Sequence, residues 1–98
     1  MREKIYISGA ITGIARLIVA SNFAEAVQEI NYKGLYIPVD PNKLPHLHND
    51  NWLDYMKEDI QCLMSCAAIY MLKNWRTSKG ATIEHDLAKS LGMPVFYQ

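Results

Sequence analysis

Residues 4–13 read KIYISGAITG. Residues 5–8 are a short β-type run that opens onto Gly9, Ala10, Ile11, Thr12 and Gly13, which predicts a strand feeding a glycine-bearing loop. From about residue 15 to residue 33, Leu17, Ile18, Phe23, Ala24, Ala26, Val27 and Ile30 recur at helical spacing, and Gly34 stands as a helix stop. The order is strand, loop, helix.

Working outward, the alternation continues. Residues 35–39 are a second apolar run, and residues 40–51, with Pro41, Pro45, His46 and His48, form a long loop. Helical spacing returns over 53–65. Residues 67–72 read as a buried strand because they are few, apolar and without polar alternation. A loop over 73–79 leads to a helix over 80–91, stopped by Gly92 and Pro94, and a last strand covers 95–97. Strands alternating with helices imply right-handed crossovers and a parallel sheet. The expected class is α/β: one three-layer domain over residues 1–98, flavodoxin-like or Rossmann-like, with an open sheet of about four strands and helices on both faces. Ligands of such folds bind at the carboxyl ends of the strands, here the loops 8–13, 40–51 and 73–80.

Composition narrows the function. The 98 residues carry 10 Lys plus Arg against 10 Asp plus Glu, with 50% hydrophobic and 20% charged residues, so a long-range pull on a nucleic-acid polymer or an anionic membrane is not expected. Cys62 and Cys66 stand four apart in a helical stretch, poor disulfide geometry that points to a reducing, cytoplasmic setting. The longest apolar run, residues 67–72, is far below the roughly 20 residues of a membrane span. The first fifteen residues superficially resemble a signal peptide, but Tyr6, Ser8, Gly9, Thr12 and Gly13 dilute the apolar segment and Arg16 ends it.

Two carboxylates sit where apolar groups belong. On a wheel of 100° per residue, Gly80, Ala81, Leu87, Ala88 and Leu91 share one arc with Glu84 near its centre. In the preceding helix Leu53, Met56, Ile60, Leu63 and Met64 form a stripe that Tyr55, Cys62 and Cys66 extend, and Asp59 lies inside it. An unpartnered buried carboxylate costs several kcal/mol or has its pKa raised, so each placement calls for a reason. Glycosidic chemistry supplies one, using one carboxylate at the sugar carbon and another to manage a proton or a hydroxyl. The bland alternatives are a first-turn Glu bent toward solvent and a buried capping or salt-bridge Asp.

Thr77, Ser78, Lys79 and Gly80 open the last helix, where free N–H groups and the dipole favour an anion. Lys73, Arg76 and Lys79 share that loop, although Ser78 also reads as a plain N-cap. Trp52 and Trp75 lie at loop junctions, where an indole either closes a core or stacks on a planar base. His46, His48, Cys62 and Cys66 lack metal-ligand spacing, so neither a metal nor another cofactor is expected.

On these residues the chain resembles the nucleoside 2-deoxyribosyltransferase-like proteins, a superfamily that includes the deoxyribosyltransferases and the 2′-deoxynucleoside 5′-phosphate N-hydrolases. It is most similar to a short bacterial and phage branch. The matching stretches are residues 4–13, Asn22-Phe23, residues 38–41 (PVDP), 52–60 (WLDYMKEDI) and 75–94 (WRTSKGATIEHDLAKSLGMP). The most specific is the run of Ser78, Gly80 and Glu84. The resemblance implies that Glu84 attacks or stabilises the anomeric carbon, that Tyr6 positions it, and that Asp59 contacts the sugar or assists proton transfer. It implies a nucleotide or nucleoside bound by Ser8, Gly9, Thr12, Trp75, Ser78, Lys79 and Gly80. Ser78, in place of an acidic residue, favours a 5′-phosphate, because a second negative charge would repel it.

Three departures stand against turnover. Ala67 replaces an aspartate at the head of the third strand, Ala10 and Thr12 replace a serine and an arginine of the first loop, and the sequence ends at Gln98 before a segment that supplies phosphate contacts between neighbouring hydrolase subunits. The alternatives are therefore a nucleotide-binding module without turnover, or a purely structural oligomer. A four-stranded sheet of this size covers its edges and pocket poorly, so a homo-oligomer with its cleft near the interface is expected.

Overall fold

The computed structural model describes residues 1–43 and 51–98. Among them the chain runs β1 (Lys4–Ser8), α1 (Arg16–Lys33), β2 (Ile37–Val39), a 3₁₀ turn (Pro41–Lys43), α2 (Trp52–Met64), β3 (Ala68–Met71), a second 3₁₀ turn (Trp75–Thr77), α3 (Lys79–Ser90) and β4 (Val95–Tyr97). The four strands are all parallel in the order β2-β1-β3-β4. This is the expected α/β class, compatible with a flavodoxin-like three-layer fold. No helix of the described residues is long and apolar enough to cross a membrane.

The strand order sets the layers. The chain leaves β1 toward β2 and then crosses back to β3, and right-handed connections running in opposite directions along a sheet lie on opposite faces. Alternation along β1 matches this. Ile5 and Ile7 pack with Val19, Phe23, Ala26 and Ile30 of α1, while Tyr6 lies with Leu63 of α2 and Ala81 and Ala88 of α3. The reversal between β1 and β3 leaves a crevice at their carboxyl ends, the usual ligand position of open α/β sheets.

Several apolar residues lie outside the core the wheel assigned them to. Leu17 and Ile18 are exposed, and Val19 supplies the first buried position of α1. In α2, Met56 and Leu63 are buried whereas Leu53 and Met64 face outward. In α3 the buried residues are Ala81, Glu84, His85 and Ala88, with Leu91 exposed as the C-cap. A wheel finds an arc but not its centre, and neighbouring elements decide which edge of the arc is covered. Leu35 is likewise exposed ahead of β2, which starts at Ile37. The loop over 40–51 is described only at its ends, so His46 and His48 lie outside the described residues.

Candidate active site

Tyr6 and Ser8 are two apart on β1, so both point to the face that α2 and α3 cover. Both are fully buried, and both reach the same group. The Tyr6 phenol donates to Glu84 Oε2 at 2.8 Å, and the Ser8 hydroxyl donates to Glu84 Oε1 at 2.6 Å. Glu84 itself is only 5% exposed. The residue out of place on the wheel is therefore a buried carboxylate with a hydroxyl donor on each oxygen, and it does not bend to solvent at the sheet edge.

Neutral donors offset only part of the cost of burial. Desolvation raises the Glu84 pKa from 4.5 to about 7, opposed by the hydrogen bonds from Ser8 and Tyr6 and assisted by the negative charge of Asp59. Burial, with Glu84 and Asp59 nearby, pushes the Tyr6 phenol far up, so Tyr6 serves only as a proton-bearing donor. Asp59, half-buried on α2, thus acts electrostatically on both members of the pair. The carboxylate is poised to change charge near neutrality, as an acid, a base or an anion facing a developing cation requires.

The loops at the carboxyl edge adjoin the elements that carry this group. Gly9 follows Ser8 directly, and a Cβ there would stand 2.4 Å from Leu72 Cδ1, so only glycine lets the first loop leave the sheet beside β3. The next residue, Ala10, donates its N–H to Asn74 Oδ1 at 3.1 Å, which ties the loops after β1 and β3 together. At Gly80 a Cβ would lie 3.0 Å from Met56 Sδ, so a residue without a side chain lets the start of α3 approach α2. Ser78 is the N-cap, its hydroxyl accepting from the Ala81 N–H at 3.2 Å. The capping reading therefore holds, and the hydroxyl proton remains available to donate. Lys79 places its Nζ over the Trp52 ring at 4.8 Å, joining the starts of α2 and α3. Thr12 is exposed on the first loop, with no contact to Glu84 described.

Trp75 is half-buried and stacks within the chain. Its ring lies 4.1 Å from that of His85 at 24°, and the Arg76 guanidinium stands over it at 5.1 Å. His85 and Asn74 are the polar groups that the sequence reading missed. His85 is 6% exposed, and the signal that could have found it is its adjacency to Glu84 on a helix whose inward arc is wider than the wheel allowed. Cys62 and Cys66 hold free thiols, that of Cys62 pushed up to about 11 by burial. Among the described residues no cluster of three or more His, Cys, Asp or Glu is placed to hold a metal. A cleft of about 250 Å³ lies beside the end of β3, but Asn22, Glu25 and Lys73 line it and Glu84 does not. The carboxylate is sealed by its own partners.

Over residues 3–97 the chain matches the family described as Domain of unknown function (DUF4406), and it belongs to that family. No curated protein matches it.

Proposed function

We propose that this member of the DUF4406 family cleaves, or exchanges a base at, the N-glycosidic bond of a 2′-deoxynucleotide or nucleoside, with Glu84 at the anomeric carbon. The observation that carries the reading is the buried Glu84 carboxylate held by Tyr6 and Ser8, one hydroxyl on each oxygen. The resemblance of residues 4–13 and 75–94 to the deoxyribosyltransferase-like proteins supports it.

The chemistry follows from where charge develops. As the C1′–N bond breaks, the bonding pair leaves with the base and positive charge gathers on the sugar ring. An ionised carboxylate in a water-poor site stabilises that charge, or attacks C1′ to form a glycosyl ester. Tyr6 and Ser8 fix the direction of its lone pairs. Asp59 assists proton transfer or holds a sugar hydroxyl, and attack at C1′ by water or by a second base completes hydrolysis or transfer. A 5′-phosphate finds the start of α3, the Ser78 hydroxyl and Lys79 at the same edge of the sheet.

To test this, each deoxynucleoside monophosphate is incubated with the protein and free base is measured. Release by the wild type and its loss in Glu84→Ala are expected; no release by the wild type, or equal release by both, overturns the reading. The closure of Glu84, with both oxygens bonded within the chain, favours a second reading: a nucleotide-binding module without turnover. Calorimetric binding without product on prolonged incubation would decide for it.

The reading extends to a cytoplasmic homo-oligomer. The apolar arc of α2 is covered only in part: Met56 and Leu63 are buried, while Leu53 and Met64 on its other edge are 55% and 44% exposed. A second copy of the chain would cover that open edge. Light scattering at micromolar concentration should give more than one chain, and a monomer would contradict it.

A further inference from the structure

We propose that Asp86, His85 and Tyr97 form a second reactive site, in which the Tyr97 phenol is a nucleophile assisted by His85 and takes an acyl group from an activated ester. The geometry is a chain of three groups. His85 Nδ1 lies 3.0 Å from Asp86 Oδ1, and Nε2 lies 2.7 Å from the Tyr97 hydroxyl.

The proton positions follow from the partners. An ionised carboxylate only accepts, so Nδ1 carries the hydrogen facing Asp86. In the neutral ring Nε2 is then the acceptor, and the Tyr97 O–H donates to it. This is the order of a base-assisted hydroxyl: a carboxylate orients an imidazole, which faces the proton of the group to be activated. The ring is held from the side by Trp75, stacked at 4.1 Å.

Exposure separates this chain from an ordinary satisfied core histidine. The ring is buried at 6%, but Tyr97 is 54% exposed and the Asp86 side chain 69%. A phenol that is both hydrogen-bonded to a fixed base and open to solvent is reachable by a substrate. The site is separate from Glu84, whose oxygens both engage β1. It therefore stands whether or not that carboxylate acts on a glycosidic bond.

The step balances within these groups and the ester. Tyr97 Oη attacks the ester carbonyl carbon as Nε2 takes the phenol proton, and Asp86 stabilises the imidazolium through Nδ1–H. The bond to the leaving alcohol breaks with its electron pair, and the imidazolium returns the proton to the departing oxygen. An aryl ester of the tyrosine remains.

The probe is p-nitrophenyl acetate, with p-nitrophenolate followed by absorbance and the acetyl group located by peptide mapping. Tyr32, 92% exposed and in none of these contacts, is the internal reference among the six tyrosines. Tyr97 should be acetylated much faster than Tyr32, and His85→Gln should slow Tyr97 about a hundredfold while leaving Tyr32 unchanged. Asp86→Asn, altered at a surface side chain, should also slow Tyr97, which keeps the test valid if His85→Gln does not fold. Acetylation of Tyr97 at the Tyr32 rate, or a Tyr97 rate unchanged in a folded variant at either position, would overturn the proposal.

Discussion

Glu84 and His85 are consecutive on α3 and nearly equally buried, at 5% and 6% exposure, yet the two sides of the helix treat an ionisable group differently. Toward β1, Glu84 meets two buried neutral hydroxyls and stays under strain of desolvation, its pKa raised to about 7. Toward β4, His85 meets a surface carboxylate and a half-exposed phenol, and both its nitrogens are satisfied. Burial alone does not mark a working group. What a buried group can do depends on its partners: Glu84 is left with a charge ready to appear near neutrality, whereas His85 is oriented between a carboxylate and a reachable phenol.

The largest effect expected on the β1 side is on rate. Glu84→Gln keeps the shape and the hydrogen-bonding oxygen but cannot ionise, so base release from a deoxynucleoside monophosphate should fall by at least about a thousandfold. Chromatography of free base against time measures it. A loss below tenfold would show that the raised carboxylate is a structural group.

The next effect is on stability. The folded-state pKa of Glu84, about 7, lies above its ordinary value of 4.5, so between these values the folded chain holds a proton that the unfolded chain releases. Its contribution is full below pH 4.5 and is lost as pH rises through 7, a change of about 3 kcal/mol. Urea titrations at pH 4.5 and pH 8 should show that decline in the wild type, and Glu84→Gln should lack it. Activity that needs the ionised carboxylate runs the other way, rising as pH passes 7.

That comparison also explains what the sequence disclosed. The short β-type run over residues 5–8 and helical spacing over the three helices made the strand–helix alternation, and from it the layers, legible, because those patterns are set by local geometry and burial together. Glu84 and Asp59 were legible because a carboxylate in an apolar arc contradicts its surroundings. His85 was not, since histidine is at home in either setting and contradicts nothing. Nor could periodicity show that Ser8 turns its hydroxyl to Glu84 or that Trp75 stacks on His85. Those contacts join residues more than seventy apart in the first case and ten apart in the second, and only the packed sheet brings them together. The exposed Leu53 and Leu91 mark the same limit, because a wheel cannot know where the neighbouring helix stops.

A smaller effect should sharpen the β1 side by sign. The Ser8 hydroxyl lowers the Glu84 pKa and the Asp59 charge raises it. Ser8→Ala should therefore move the midpoint of the activity profile, or of a carboxyl carbon resonance followed by NMR, to higher pH. Asp59→Asn should move it lower, each by up to about one unit. The resonance reports on Glu84 even without turnover. Shifts in the same direction would mean that the fold rearranges around the carboxylate and that these two groups do not set its ionisation.

The smallest difference expected is between two phenols that each donate to a buried group on adjacent faces of α3. Tyr6 donates to Glu84 at 2.8 Å and Tyr97 to His85 at 2.7 Å, so distance does not separate them. Surroundings do. Tyr6 is fully buried, and removing its hydroxyl leaves a sealed carboxylate short of a donor, whereas water can replace the half-exposed Tyr97 hydroxyl at Nε2. At pH 8, with Glu84 largely ionised, Tyr6→Phe should cost about 2 kcal/mol and Tyr97→Phe less than about 1 kcal/mol in urea titrations. The Tyr6→Phe deficit should also shrink as pH falls below 7, because a protonated carboxyl is a weaker acceptor than a carboxylate. Equal deficits at pH 8, or a Tyr6→Phe deficit that ignores pH, would mean that the two sides of α3 differ in exposure but not in electrostatics, and the contrast between Glu84 and His85 would lose its physical basis.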